Sequence, residues 1–310
     1  MNIALWLQRS ASAHADRPAV ALGTTTTHTH AQLAHAACGF AAWARAQGLE
    51  PGDRVGLYQD NAPGYLVALW GLWWAGLVAV PMNARLHGRE AAWILGHAGA
   101  RACVLDARHE AELAPHVEPH MAADLARWVD PLPQPADHLH DPVERAADDP
   151  AWLFYTSGTT GRPKGVTLTQ RNLQLCTLAY TATVQPVQPG DSCLHPAPLS
   201  HGAGFYHLPY VMNGGVNVVP ASRGLDEAEF FALAAHWGNA SCFAAPTIVR
   251  RLAEHVRTTG TAVQGLATIV YGGAPMYRAD LEAARAVLGP HLAQIYGQGE
   301  SPMTITVLPK

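Results

Sequence analysis

Apolar positions along the 310 residues fall into short runs set between longer amphipathic stretches, the pattern of a chain that alternates strands and helices. Ala- and Leu-rich helical spacing runs from Ala31 to Gln47 and stops at Gly48. The apolar runs Arg54–Tyr58, Leu77–Val80, Ala102–Leu105 and Ala151–Phe154 predict strands, with helices between them. Tyr65 to Met82 is nearly continuous apolar sequence, close to the ~18 residues that begin to suggest a membrane span. Gly71, Gly76 and Pro81 interrupt it, and Val78-Ala-Val80 favours strand, so a buried helix over 63–74, a glycine turn and a core strand ending at Pro81 are expected instead. A helix is expected from Val166 to Ala179. A second series follows: strands near 192–195, 216–219, 240–244, 267–271 and 292–295, with helices after His201 and over 226–237, 247–258 and 278–288. The alternation predicts an α/β fold of two stacked α/β lobes with largely parallel sheets. The expected division is a first lobe over 1–175, with a Pro- and Asp-rich linker at 130–150, and a second lobe over 176–310.

Composition sharpens this picture in three places. A net charge of −4 leaves no basic footprint, which argues against nucleic acid as a partner. The five cysteines are scattered without a C-x-x-C pair, which fits buried thiols in a reducing compartment; a cytoplasmic location is expected, since the N-terminus lacks a basic, apolar leader. Seventeen histidines raise the question of metal. The groups His28, His30, His35 and His109, His116, His120, His138, His140 lack zinc-site spacing and are expected on the surface.

The chemistry concentrates in Tyr155-Thr-Ser-Gly-Thr-Thr-Gly-Arg-Pro-Lys-Gly-Val166. Four hydroxyl side chains surround Gly158 and Gly161, and Lys164 follows; glycines let successive N–H groups converge on an anion, and the ammonium adds charge. An ordinary Walker-type loop is excluded, because Pro163 precedes the lysine and Gly165 follows it. Among 20 Lys+Arg the only lysines are Lys164 and Lys310. The stretch is suited to a polyphosphate.

This dodecapeptide resembles the signature loop of the adenylate-forming superfamily of acyl- and aryl-CoA synthetases, luciferases and carrier-loading adenylation domains. Further stretches resemble that family in its own order: Gly48–Val55, the Asn61 region, Ala75–Asn83, Pro198-Leu-Ser-His201, Ala245-Pro-Thr247, Tyr271-Gly-Gly-Ala-Pro275 and Tyr296-Gly-Gln-Gly-Glu300. The resemblance implies ATP-dependent activation of a carboxylic acid, most like a fatty acid, to an acyl-adenylate and its transfer to coenzyme A. It implies that Thr156, Ser157, Gly158, Thr159, Thr160, Gly161 and Lys164 hold the β- and γ-phosphates. Glu300, assisted by Thr159, would hold Mg²⁺, the oxygen-ligand chemistry of a hard cation. Gly272, Gly273, Ala274 and Pro275, with Tyr296, Gly297 and Gln298, would receive adenine. His201 would stand beside the acid's carboxylate, with Gly202, Phe205, Ala245 and Gly273 around the acyl group. Lys164, His201 and Glu300 are the residues implied in catalysis.

Two departures qualify the resemblance. Gly299 occupies the position where the family has a threonine before the motif glutamate, which removes a hydroxyl from the α-phosphate. The sequence ends at Lys310, so the family's ribose-binding aspartate, hinge and C-terminal lid domain are absent from it. An incomplete N-terminal domain with weak nucleotide binding and negligible turnover is therefore expected. A carrier-protein-loading adenylation enzyme, a luciferase-like oxygenase and a non-catalytic nucleotide-binding remnant are the alternatives. The expected partners are the acid, ATP and coenzyme A, with no stable membrane span and a possible homodimer.

Overall fold

Pro63 supplies a preset φ and a missing N–H where a helix can spare both, and every residue from Tyr65 to Trp74 is buried in the helix it opens. Gly76, at φ 73°, then turns the chain directly into a wholly buried strand, Val78–Met82. The apolar run at 65–82 is thus a core helix and a core strand. Among the described residues no helix is long and apolar enough to cross a membrane.

The computed structural model describes residues 1–117, 126–129, 133–156 and 163–310. In chain order its elements begin α1 (Ala4–Ala13), β1 (Pro18–Leu22), β2 (Thr25–Thr29), α2 (His30–Ala46), β3 (Arg54–Tyr58) and α3 (Pro63–Trp74). They continue β4 (Val78–Met82), α4 (Gly88–Ala98), β5 (Ala100–Leu105), α5 (Ala107–Leu113), β6 (Ala126–Val129), β7 (Pro150–Thr156) and β8 (Lys164–Thr169). Next come α6 (Gln170–Thr183), β9 (Ser192–Leu194), a 3-10 turn at Gly202–Tyr206, α7 (His207–Met212) and β10 (Val216–Val219). The series closes with α8 (Glu227–Trp237), β11 (Ala240–Ala244), α9 (Pro246–Thr259), β12 (Leu266–Tyr271), α10 (Arg278–Leu288), β13 (Leu292–Gln298) and β14 (Ser301–Leu308).

Two compact units result: Met1–Ser12 with Ala31–Gln174, and Ala13–His30 with Leu175–Lys310. The expected contiguous cut near residue 175 misses the excursion of Ala13–His30 into the second unit. Its cause is pairing: β1 lies parallel to β10, with Val20 opposite Asn217.

In the first unit, a six-stranded sheet runs β6-β5-β3-β4-β7-β8, parallel except for the edge strand β8. Met82, Ile94, Leu95, Cys103 and Leu113 anchor one of its cores. The residues described within the expected linker are not free: Val143 N–H donates to Trp74 O at 2.9 Å, and Trp74 Nε1 donates to His140 O at 2.9 Å. These bonds saturate backbone that burial would otherwise leave unpaired.

In the second unit, an eight-stranded sheet runs β14-β13-β12-β11-β9-β10-β1-β2, with antiparallel β2 and β14 at its edges. Leu194, Val218, Cys242, Ala244, Val249, Leu252 and Ile269 belong to the apolar core on one face, packed with Phe230 and Phe231 of α8. Alternation puts Asn217, Cys193, Ser241 and Thr268 on the other face, in register across four strands. All four are buried. His195 shares this layer, with Nε2 3.0 Å from Asn217 Oδ1.

Two expectations are corrected here. The helix expected from Val166 begins at Gln170; Lys164–Thr169 is a strand, because β-branched Val166, Thr167 and Thr169 pair with β7. Nor are all the named histidines on the surface. His30 and His109 are fully buried, His30 through Nε2 at 3.1 Å from Gly215 O and His109 through Nδ1 at 2.7 Å from Asp106 Oδ1. His120 lies outside the described residues. All five cysteines are buried and none is in a disulfide, and burial pushes the Cys176 thiol up to about 12.

Candidate active site

The glycine- and hydroxyl-rich loop spans the end of a hairpin in the first unit. Strand β7 leads into it and β8 leads out, with Thr156 directly opposite Lys164 and Tyr155 opposite Gly165. Lys164 is exposed at the first position of its strand, and Thr156 is half-buried at the last position of β7. A Cβ on Gly165 would lie 2.9 Å from Tyr155 Cζ, so glycine is what lets the ring lie across the hairpin. Ser157, Gly158, Thr159, Thr160 and Gly161 lie outside the described residues. The two ends of the loop are thus held at one place, with an ammonium at one and a hydroxyl at the other.

In the second unit, ligand-competent residues gather where parallel strands end, the edge at which open α/β sheets receive ligands. Gly272-Gly-Ala-Pro275 follows β12, and Ala245 follows β11 as the N-cap of α9. Gly272 is buried against Ile295, whose carbonyl oxygen lies 2.7 Å from where a Cβ would stand. Gly273, at φ 80°, is exposed with Ala274 and Pro275.

Tyr296 lies inside β13, which extends to Gln298 rather than ending at 295; the tyrosine is therefore not beyond the strand, as expected, but a ring standing off it. It is 51% exposed, and its hydroxyl accepts from Gln298 Nε2 at 2.6 Å. Gly297 faces Met303 across an irregularity in the β13–β14 pairing, where Met303 takes φ 68°. Glu300 is exposed in the turn of that hairpin and forms no salt bridge among the described residues. An accessible, unpaired carboxylate fits Mg²⁺ chemistry, since that ion takes one or two carboxylates together with phosphate oxygens and water.

His201 precedes the 3-10 turn, and its carbonyl accepts from Gly204 N–H at 2.8 Å. Its side chain is exposed by surface area, yet enough protein packs around the ring for desolvation to lower its pKa. The neutral imidazole is thereby favoured near neutral pH. Gly202 and Gly273 lie far apart in sequence, but a Cβ on either would stand 3.9 Å from the ring of Phe243. Phe205, expected near the acyl group, is 2% exposed and sits in the core.

Phe243 is the residue that motif reading missed. It stacks on Tyr206 with centroids 4.9 Å apart and planes at 27°, and Tyr206 meets Tyr180 edge-on at 5.5 Å. Strand alternation over Ser241-Cys-Phe-Ala244 was the available signal, because it turns Phe243 away from the apolar core that holds Cys242 and Ala244. Tyr206 carries a buried hydroxyl without a hydrogen-bond partner among the described residues, and burial raises its pKa well above the ordinary value.

The AMP-binding enzyme family matches residues 7–310. A feruloyl-CoA synthase of an Amycolatopsis species is 32% identical over 98% of this chain and 60% of its own length. A fatty acid–[acyl-carrier-protein] ligase of Streptomyces coeruleorubidus is 32% identical over 91% of this chain and 56% of its own. The chain therefore spans roughly 56–60% of these curated relatives. Among solved structures, the inhibitor-bound N-terminal domain of FACL13 from Mycobacterium tuberculosis superposes with a TM-score of 0.82 at 25% identity, over 96% of this chain and 76% of that one.

Proposed function

The chain belongs to the AMP-binding enzyme family, and from that premise we propose that it carries the nucleotide- and acid-binding part of an acid–thiol ligase. In this reading ATP and a carboxylic acid, fatty or aryl, meet so that the carboxylate attacks the α-phosphorus and pyrophosphate departs, leaving an acyl-adenylate for transfer to coenzyme A. The observation that carries the reading is the β7–β8 hairpin, which brings Thr156 and Lys164 to opposite sides of one loop mouth.

Each group has a physical task. Two anions must approach one another, so positive charge and hydrogen-bond donors have to be present in advance. Lys164 supplies the charge for the β- and γ-phosphates; Thr156, Ser157, Gly158, Thr159, Thr160 and Gly161 supply hydroxyls and backbone N–H groups. Glu300 would hold Mg²⁺, which when bound neutralises phosphate charge. Tyr296 offers a ring face to adenine, beside Gly272–Pro275, Gly297 and Gln298. His201 in its neutral form hydrogen-bonds near the acid's carboxylate without clamping it as an ion pair. Gly202, Gly273 and Ala245 leave room for the acid's body against Phe243, with Tyr206 behind.

Equilibrium titration of the chain with ATP and Mg²⁺ tests the reading. Lys164→Ala is expected to weaken binding by about tenfold or more, the scale of one charge-assisted contact. An unchanged affinity would remove Lys164 from the phosphate site. A second acceptor, a carrier-protein thiol, has support in the 32% identity to a fatty acid–[acyl-carrier-protein] ligase. Offering both thiols to the adenylate and identifying the thioester formed separates the two.

A further inference from the structure

We propose that His97 and Tyr155 form a positioning pair that fixes Lys164 for the phosphates, an inference that rests on the loop's proposed role. Tyr155 is the residue before Thr156 on β7, and its register partner Gly165 is the residue after Lys164. The tyrosine ring lies over that glycine: a Cβ there would meet Cζ at 2.9 Å and Oη at 3.2 Å. Across the hairpin, the ring therefore defines how closely the backbone beside Lys164 can approach β7.

The ring is itself held from its far end. Tyr155 Oη lies 2.8 Å from His97 Nδ1. His97 is near the end of α4, and its ring stacks on Trp93 one turn earlier, with centroids 4.7 Å apart and planes at 17°. Trp93 and Tyr155 both pack against the apolar cluster of the first unit. A half-buried aromatic ring needs no hydroxyl to pack. The hydroxyl here is a directional contact, tying the hairpin to a helix whose own end is closed by Gly99 at φ 61°.

Lysine's long, flexible stem makes the ammonium's reach depend on where its Cα sits. Freeing the Tyr155 ring lets β8 shift at its first pair, and a small displacement of a positioning group costs measurable binding. Neither His97 nor Tyr155 has to touch the ligand. Both act through the strand that carries the lysine.

The test compares ATP with AMP, which lacks the β- and γ-phosphates, in equilibrium titrations of the same chain. Tyr155→Phe and His97→Ala are each expected to weaken ATP by about fivefold, the scale of one hydrogen bond, while AMP affinity holds. The double variant is expected to be no weaker than either single one, and His97→Asn, which keeps an acceptor near the Nδ1 position, is expected to recover most of the loss. Equal losses for ATP and AMP, additive losses in the double variant, or wild-type ATP affinity in Tyr155→Phe would overturn the pairing. If Lys164→Ala weakens ATP and Tyr155→Phe does not, the positioning pair falls and the phosphate role of the loop survives. If Lys164→Ala leaves ATP binding unchanged, the role of the loop falls and the pair falls with it.

Discussion

In the proposed acid-binding site, Phe243 is the side chain that sets the limit. Its ring closes the space between Gly202 and Gly273, and behind it Tyr206 and Tyr180 continue an aromatic wall. Phe243→Ala removes the front of that wall, so acids with longer or bulkier bodies are expected to gain affinity relative to short ones. Competition binding across a series of acids checks this; an unchanged size order would clear Phe243 of the role. The Tyr206 hydroxyl behind it has no partner among the described residues, a situation that costs about 1–3 kcal/mol for a buried polar group. Tyr206→Phe is therefore expected to leave unfolding stability unchanged or raise it by about 1 kcal/mol, as read from urea denaturation. Motif order marked His201, Gly202 and Gly273 for this site but passed over Phe243, which only strand alternation singles out. Aromatic residues are equally at home in cores, and only the register of β11 turns this one outward.

At the scale of elements, glycines decide where strands can meet. Gly272 sits where a Cβ would collide with Ile295 at 2.6 Å from its Cδ1 and 2.7 Å from its carbonyl oxygen. The backbone oxygen cannot rotate away, so Gly272→Ala is expected to destabilise by about 1–3 kcal/mol in urea unfolding, whereas Gly224→Ala, with nothing within 4 Å, should stay within about 0.5 kcal/mol. Equal effects would mean that β13 yields more readily than its packing suggests. The same scale shows what the pattern of residues can and cannot reveal. The segment 63–82 was legible as helix, turn and strand because Pro63 and Gly76 punctuate an apolar run whose two parts have different residue preferences. The strand Lys164–Thr169 was not, because its partner β7 lies across the loop, and cross-strand pairing outweighs local preference. His30 was missed for a similar reason: its acceptor is the carbonyl of Gly215, a contact invisible to spacing along the chain.

Across the whole molecule, buried histidines make stability depend on acid. Burial lowers His30 and His195 to about 4 and His207 to about 3, from the ordinary 6.5. Each is neutral in the fold and takes up a proton on unfolding over the interval below 6.5, so the unfolded chain binds more protons there. Stability is therefore full above about pH 6.5 and falls as the pH drops toward 4, by up to about 1.4 kcal/mol per unit for each histidine. All three belong to the second unit, so its signals should be lost first on acidification. A pH series of thermal unfolding with His30→Gln, expected to flatten part of the slope, measures this; a flat wild-type profile from 7 to 4 would refute it. The excursion of Ala13–His30 adds a constraint of a different kind. During synthesis β1 and β2 leave the ribosome early, but β1 must wait for β10, so the second sheet closes only after most of the chain exists. A nick in the exposed segment 188–190 would accordingly leave two pieces that stay joined without a covalent link, the earlier one lending its hairpin to the sheet of the later.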